Sequence, residues 1–169
     1  MELITNKTKE KTVKEIVSKV LPACDELFIE VGYFYFSGFD QIYKQLENKK
    51  INIMIGINYD KRISELIKSN LAFKENYFNS LVQDINKTDI LDQGKIGTES
   101  YNMFVKKIKD GSLKIKCLKT KNNHSKTFIF KFSEKFNMGG LTPGYILSGS
   151  SNFTKSGFLT NIEKNRLFR

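Results

Sequence analysis

A chain of 169 residues with 40% hydrophobic and 12% aromatic content is long enough to bury a core and too apolar for a disordered tail. Its 28 Lys and Arg against 18 Asp and Glu leave a net charge of +10, which favours a polyanionic partner, either nucleic acid or an anionic membrane surface. No apolar run approaches the ~20 residues of a bilayer span, Met1 to Lys7 lacks an apolar signal core, and Cys24 and Cys117 have no Cys-x-x-Cys spacing, so no membrane insertion and a reduced, cytoplasmic setting are expected.

Positions 8 to 21 place Val13, Ile16, Val17, Val20 and Leu21 on one helical face, and Pro22 ends the pattern. Leu27 to Phe36, rich in β-favouring residues, reads as a buried strand. Its Tyr33, Phe34, Tyr35 and Phe36 read as core, with Tyr35 the one candidate for lining a pocket. Ser37-Gly38 opens a second helix with Phe39, Ile42, Tyr43 and Leu46 at helical spacing, and Ile51 to Ile57 gives another apolar strand. A helix between two such strands predicts a parallel crossover.

Residues 61 to 85 read as helical, Asn86 to Ser100 as a polar loop and Tyr101 to Lys109 as a short helix. Leu113, Ile115 and Cys117 alternate with Lys114 and Lys116, which predicts a strand. Further strands are expected over 124 to 132 and 144 to 152, joined by a hairpin connection carrying Gly139, Gly140 and Pro143. Thr154 or Ser156 caps a short turn, and Arg166 to Arg169 begins another strand. The pattern predicts an α/β fold, a mixed sheet flanked by helices on both faces, over residues 1–169 as a single domain. The abrupt end after Arg169 suggests the N-terminal part of a longer protein.

Two polar clusters stand out in the last third. His124, the only histidine, lies in Asn123-His124-Ser125-Lys126, and Gly149-Ser150-Ser151-Asn152-Phe153-Thr154 follows an apolar run. Alternation along a strand puts His124 with Lys126 and Ser150 with Asn152. A hairpin centred near Met138 sets His124 opposite Asn152 and Lys126 opposite Ser150. Read one at a time, these residues are better explained as an ordinary surface histidine and a turn.

Together they resemble the phospholipase D superfamily, whose signature is His-x-Lys followed by Gly-Ser-x-Asn, with a glutamate downstream at the place of Glu163. The nuclease and restriction-endonuclease branch, including similar domains attached to helicases, is the nearest likeness. The resemblance implies a metal-independent phosphodiesterase or endonuclease that cleaves DNA without a cofactor. In it His124 attacks phosphorus, Lys126 and Asn152 bind nonbridging oxygens, Ser150 supports them, and Glu163 orients the imidazole. The mechanism needs two histidines, so one motif copy implies a homodimer with a shared site. The family's usual aspartate five residues after the motif lysine is Lys131 here.

The stretch from Lys106 to Lys126 holds eight lysines and Asp110 as its sole acid. Lys114, Lys116, Lys119 and Lys121 are its candidate nucleic-acid contacts, with a solvated face as the alternative. Two other functions fit the same residues: a phospholipid-processing phosphodiesterase, and a catalytically silent nucleic-acid-binding or dimerisation module. A metal-dependent nuclease fits poorly, because Glu47-Asn48-Lys49 falls at a helix end and Asp40 does not lie on a preceding strand. Helicase or restriction-system domains are expected partners in a longer protein.

Overall fold

The computed structural model describes residues 2–8, 12–59, 98–117, 123–137 and 142–168. Among the described residues, seven strands form one mixed sheet: β1 (Glu2–Ile4), β2 (Cys24–Phe34), β3 (Lys50–Tyr59), β4 (Leu113–Cys117), β5 (Lys126–Phe132), β6 (Gly144–Gly149) and β7 (Asn165–Phe168), in the order β1-β7-β6-β5-β2-β3-β4. β2, β3 and β4 run parallel, whereas β5, β6, β7 and β1 are joined by antiparallel pairings, with β5 antiparallel to β2. Helices α1 (Val13–Val20), α2 (Phe36–Asp40), α3 (Thr98–Lys109) and α4 (Lys155–Leu159) complete the described elements, with 3₁₀ turns at Leu21–Ala23, Tyr43–Leu46 and Glu134–Phe136.

Helix α1 begins at Thr12, whose hydroxyl accepts from Glu15 N at 3.1 Å, and it buries Val13, Ile16, Val17 and Val20. Pro22 falls inside the turn that follows, so the helix stops where a backbone donor is lost. The second helix is shorter than its periodicity predicts: α2 ends at Asp40 and the pattern resumes as the 3₁₀ turn. Phe39, Ile42 and Leu46 are nevertheless all buried, so the apolar spacing marks the inward face without requiring one continuous helix.

One core joins these helices to one face of the sheet. Leu27, Ile29 and Val31 of β2, Ile51, Ile53 and Ile55 of β3, and Phe128 and Phe130 of β5 all point into it. Rings tie the layers together: Phe34 stacks on Phe153 at 5.1 Å, and Phe104 meets Phe36 and Phe39 edge-on. Phe34 is a core residue, as its strand context predicts; Phe36 is buried too, but as the first residue of α2, because β2 ends two residues earlier than expected.

The opposite face alternates outward with Phe28, Met54, Ile129 and Ile146, each 37–41% exposed. Among the described residues the helices pack on one face, so the two-sided layering expected from the sequence is seen on one side only. The helices expected over 61 to 85, and most of the loop at 86 to 100, lie outside the described residues. Residues 98 to 100 of that loop already belong to α3.

The β5–β6 register corrects the hairpin inferred from the sequence. Thr127 pairs with Ser148 and Phe128 with Leu147, one residue away from the arrangement that would oppose Lys126 and Ser150. Core burial decides this. The observed register sinks both Phe128 (1% exposed) and Leu147 (0%), whereas the alternative places Ser148 in the core and turns Leu147 outward. Thr127 and Ser148 instead share the outer face, their hydroxyls 3.3 Å apart.

Candidate active site

β5 begins at Lys126, two residues later than expected, because the Asn123 side chain accepts from Ser125 N at 2.7 Å and takes that donor out of the sheet ladder. His124 therefore sits in the approach to the strand, exposed, between half-buried Asn123 and Ser125. Lys126 lies opposite Val31 of β2, and its ammonium donates to the His124 carbonyl at 2.5 Å.

β6 ends at Gly149, three residues earlier than expected. A Cβ there would collide with the Lys164 carbonyl oxygen, so the close approach of the returning chain requires glycine. Beyond Gly149 the backbone leaves β6 and crosses to the end of β2. Phe153 forms a parallel bridge with Phe34, and Tyr35 N donates to the Phe153 carbonyl at 3.1 Å. Asn152 is fixed in this crossing, its side-chain oxygen accepting from Tyr33 N at 3.0 Å.

The two halves of the sequence pattern are thus each attached to the end of β2, by a route other than strand alternation. Lys126 reaches the end of β2 as a sheet partner of Val31, and Asn152 reaches the same end two residues on, at Tyr33. The burial of Phe153, at 0% exposure against Phe34, Phe128 and Phe158, locks the crossing segment down.

Glu163 is brought in by the turn before β7. It is 9% exposed and its carboxylate accepts from the Ser150 hydroxyl, while Ser150 Oγ accepts from Lys164 N at 2.9 Å. Within this chain the carboxylate is held by Ser150; the family likeness implied that it orients an imidazole. Beside it, Ser151 and Asn165 form a buried reciprocal pair: Asn165 Nδ2 donates to Ser151 Oγ at 2.8 Å, and Ser151 N donates to Asn165 Oδ1 at 3.2 Å.

Lys131, at the position usual for aspartate, faces Glu26 across the β2–β5 pair at 3.6 Å and is 65% exposed. With its lysine in solvent, such a pair contributes little to stability. Lys114 and Lys116 project from β4 onto the outer face of the sheet, where they line a groove of about 430 Å³ with Phe28, Glu30, Asn52, Met54 and Ile129. Lys119 and Lys121 lie outside the described residues. Among the described residues no three His, Cys, Asp or Glu side chains are grouped to hold a metal ion, and no helix is long and apolar enough to cross a membrane.

Sequence reasoning missed Asn123, Ser151 and Asn165. Asn123 had a local signal, since Asn followed two residues later by a free backbone donor is the pattern of an Asx turn. The Ser151–Asn165 pair had none, because it depends on β6 and β7 being neighbours.

No family model matches the chain, and no curated protein matches it. Among solved structures, NucT from Helicobacter pylori is similar over 97% of this chain and 81% of its own, with 14% identity and a TM-score of 0.42.

Proposed function

We propose that the protein is a phosphodiester hydrolase of the phospholipase D kind, cleaving DNA in a site shared by two chains. The observation that supports this best is the crossing of residues 150 to 153 to the end of β2, which seats Asn152 on Tyr33 beside the position of Lys126. A cation and an amide are then available at one end of the sheet, next to an exposed imidazole, to share the charge of a phosphoryl group.

In the proposed reaction, an imidazole nitrogen of His124 attacks phosphorus and a P–N bond forms as the P–O bond to the leaving strand breaks. The leaving oxygen takes its proton from His124 of the second chain. That same imidazole then draws a proton from water, whose oxygen attacks phosphorus, breaks the P–N bond and releases the phosphate end. Lys126 and Asn152 hold the nonbridging oxygens throughout. Ser150 is held in place by Glu163 and Lys164 N, so the buried carboxylate acts on the site through the serine.

DNA is preferred as substrate on charge: the chain carries +10, and Lys114 and Lys116 stand exposed on the sheet. The test is to trap the intermediate. Rapid acid-free quenching of a reaction on DNA radiolabelled at phosphorus is expected to leave a base-stable, acid-labile label that maps to His124. Turnover with no label at any time point would overturn the covalent mechanism, and cleavage of phospholipid vesicles in preference to DNA would reassign the substrate.

A further inference from the structure

We infer that Asn123 and Glu30 are positioning residues for His124, an assignment that rests on the reading of His124 as the nucleophile. His124 is exposed and lies outside any strand, so the sheet ladder does not fix it. Its neighbours do. Asn123 N donates to the Gly56 carbonyl of β3 at 3.2 Å, and Asn123 Oδ1 accepts from Ser125 N at 2.7 Å, closing a turn over His124. The Asn123 amide nitrogen donates to the Glu30 carboxylate on β2, which ties the turn to the centre of the sheet.

Gly56 is what lets β3 approach. A Cβ at that position would collide with the Asn123 carbonyl oxygen and lie 2.6 Å from Asn123 Cβ, so any side chain there displaces the residue before His124. The bracket therefore has three anchors: the β3 backbone, the β2 carboxylate and the amide after His124. A reacting group held by its supporting shell gains rate from placement alone, and a misplacement of about 1 Å costs about 10²-fold.

The donor and acceptor of the Asn123–Glu30 bond exchange places in the double variant Asn123→Asp with Glu30→Gln. The carboxylate introduced at position 123 still accepts from Ser125 N, the amide introduced at position 30 now donates, and the pair keeps a single negative charge. This reversal separates the hydrogen bond from the charge. Asn123→Ala and Asn123→Asp are each expected to lower kcat about 10²-fold with little change in KM. Glu30→Ala removes the acceptor and is expected to lower kcat in the same way as Asn123→Ala, and the double variant Asn123→Asp with Glu30→Gln is expected to recover most of the loss seen in Asn123→Asp.

His124 is the only histidine, so its imidazole NMR signals report the bracket without turnover. They are expected to shift or broaden in Asn123→Ala and Asn123→Asp and to return in the reversed pair. Imidazole signals unmoved by Asn123→Ala, or a reversed pair no better than Asn123→Asp in both signals and kcat, would overturn the inference. A wild type that cleaves no phosphodiester while its imidazole signals follow this pattern would remove the hydrolase reading and leave the bracket standing.

Discussion

Ser150 Oγ is bonded on both sides, donating to the Glu163 carboxylate and accepting from Lys164 N. Ser150→Ala leaves a nearly buried carboxylate short of a donor and frees a backbone amide. It is expected to lower unfolding stability by about 1–3 kcal/mol in urea titrations while leaving some cleavage. Asn152→Ala removes a group proposed to touch the phosphoryl oxygens, and about 10² to 10³ in kcat is expected to go with it.

Cys24 offers a check at the same scale that is independent of catalysis. Burial pushes its thiol up from 9.0 to about 11, an effect the nearby Lys49 ammonium only partly offsets. The native state thus holds its proton where the unfolded chain has released it. The stability this contributes is complete below about pH 9 and is lost as pH rises toward about 11. Relative to Cys24→Ala, the wild type is expected to lose stability across that window, and equal pH slopes for the two proteins would contradict the burial argument. His124, Lys126, Ser150, Asn152 and Glu163 could be named as candidates from the sequence because their residue types and order carry the pattern. Glu30 was not, since its partner Asn123 lies 93 residues away.

The crossing from β6 to β2 is the element on which the site depends, and Phe153 is its anchor. Phe153→Ala is expected to cost about 3–5 kcal/mol by cavity formation among Phe34, Phe128 and Phe158. Because Asn152 precedes it, kcat at a temperature where the variant is folded is expected to fall as well. Phe153→Leu, which fills more of the space, is expected to do less of both. Unfolding measured by circular dichroism beside a cleavage assay separates the two effects.

Elements were readable from the sequence wherever apolar spacing alone decided them, as with β2, β3, β4 and α1. The ends of β5 and β6 were not, for a physical reason in each case. Asn123 withdraws the Ser125 amide from the ladder, and the approach of Lys164 to Gly149 turns the chain out of the sheet. The register slip of one residue has the same origin as the correct strand assignments, since Phe128 and Leu147 must share the core face. That constraint was present in the sequence, but the symmetric placing of polar pairs about Met138 competed with it.

For the whole molecule, the α/β class follows from alternating apolar periods, and the placing of the candidate residues Lys126 and Asn152 at one end of β2 follows from the strand pairing and the crossing. The net charge of +10 predicts DNA binding that weakens steeply with salt. Lys114→Ala and Lys116→Ala are expected each to lower the salt slope by about 1 if they contact phosphates, and salt-independent affinity would contradict an electrostatic surface. Sedimentation velocity is expected to show a dimer under conditions of activity, because one chain supplies one histidine; a strictly monomeric species with full activity would exclude the shared site. The central claim is that His124 carries the chemistry without a metal ion. Cleavage of duplex and single-stranded DNA, with chelator present throughout, tests it most directly. The wild type is expected to cleave under these conditions, and His124→Ala to fold and bind DNA as before without cleaving. Cleavage abolished by the chelator, or retained at the wild-type rate in His124→Ala, would contradict it.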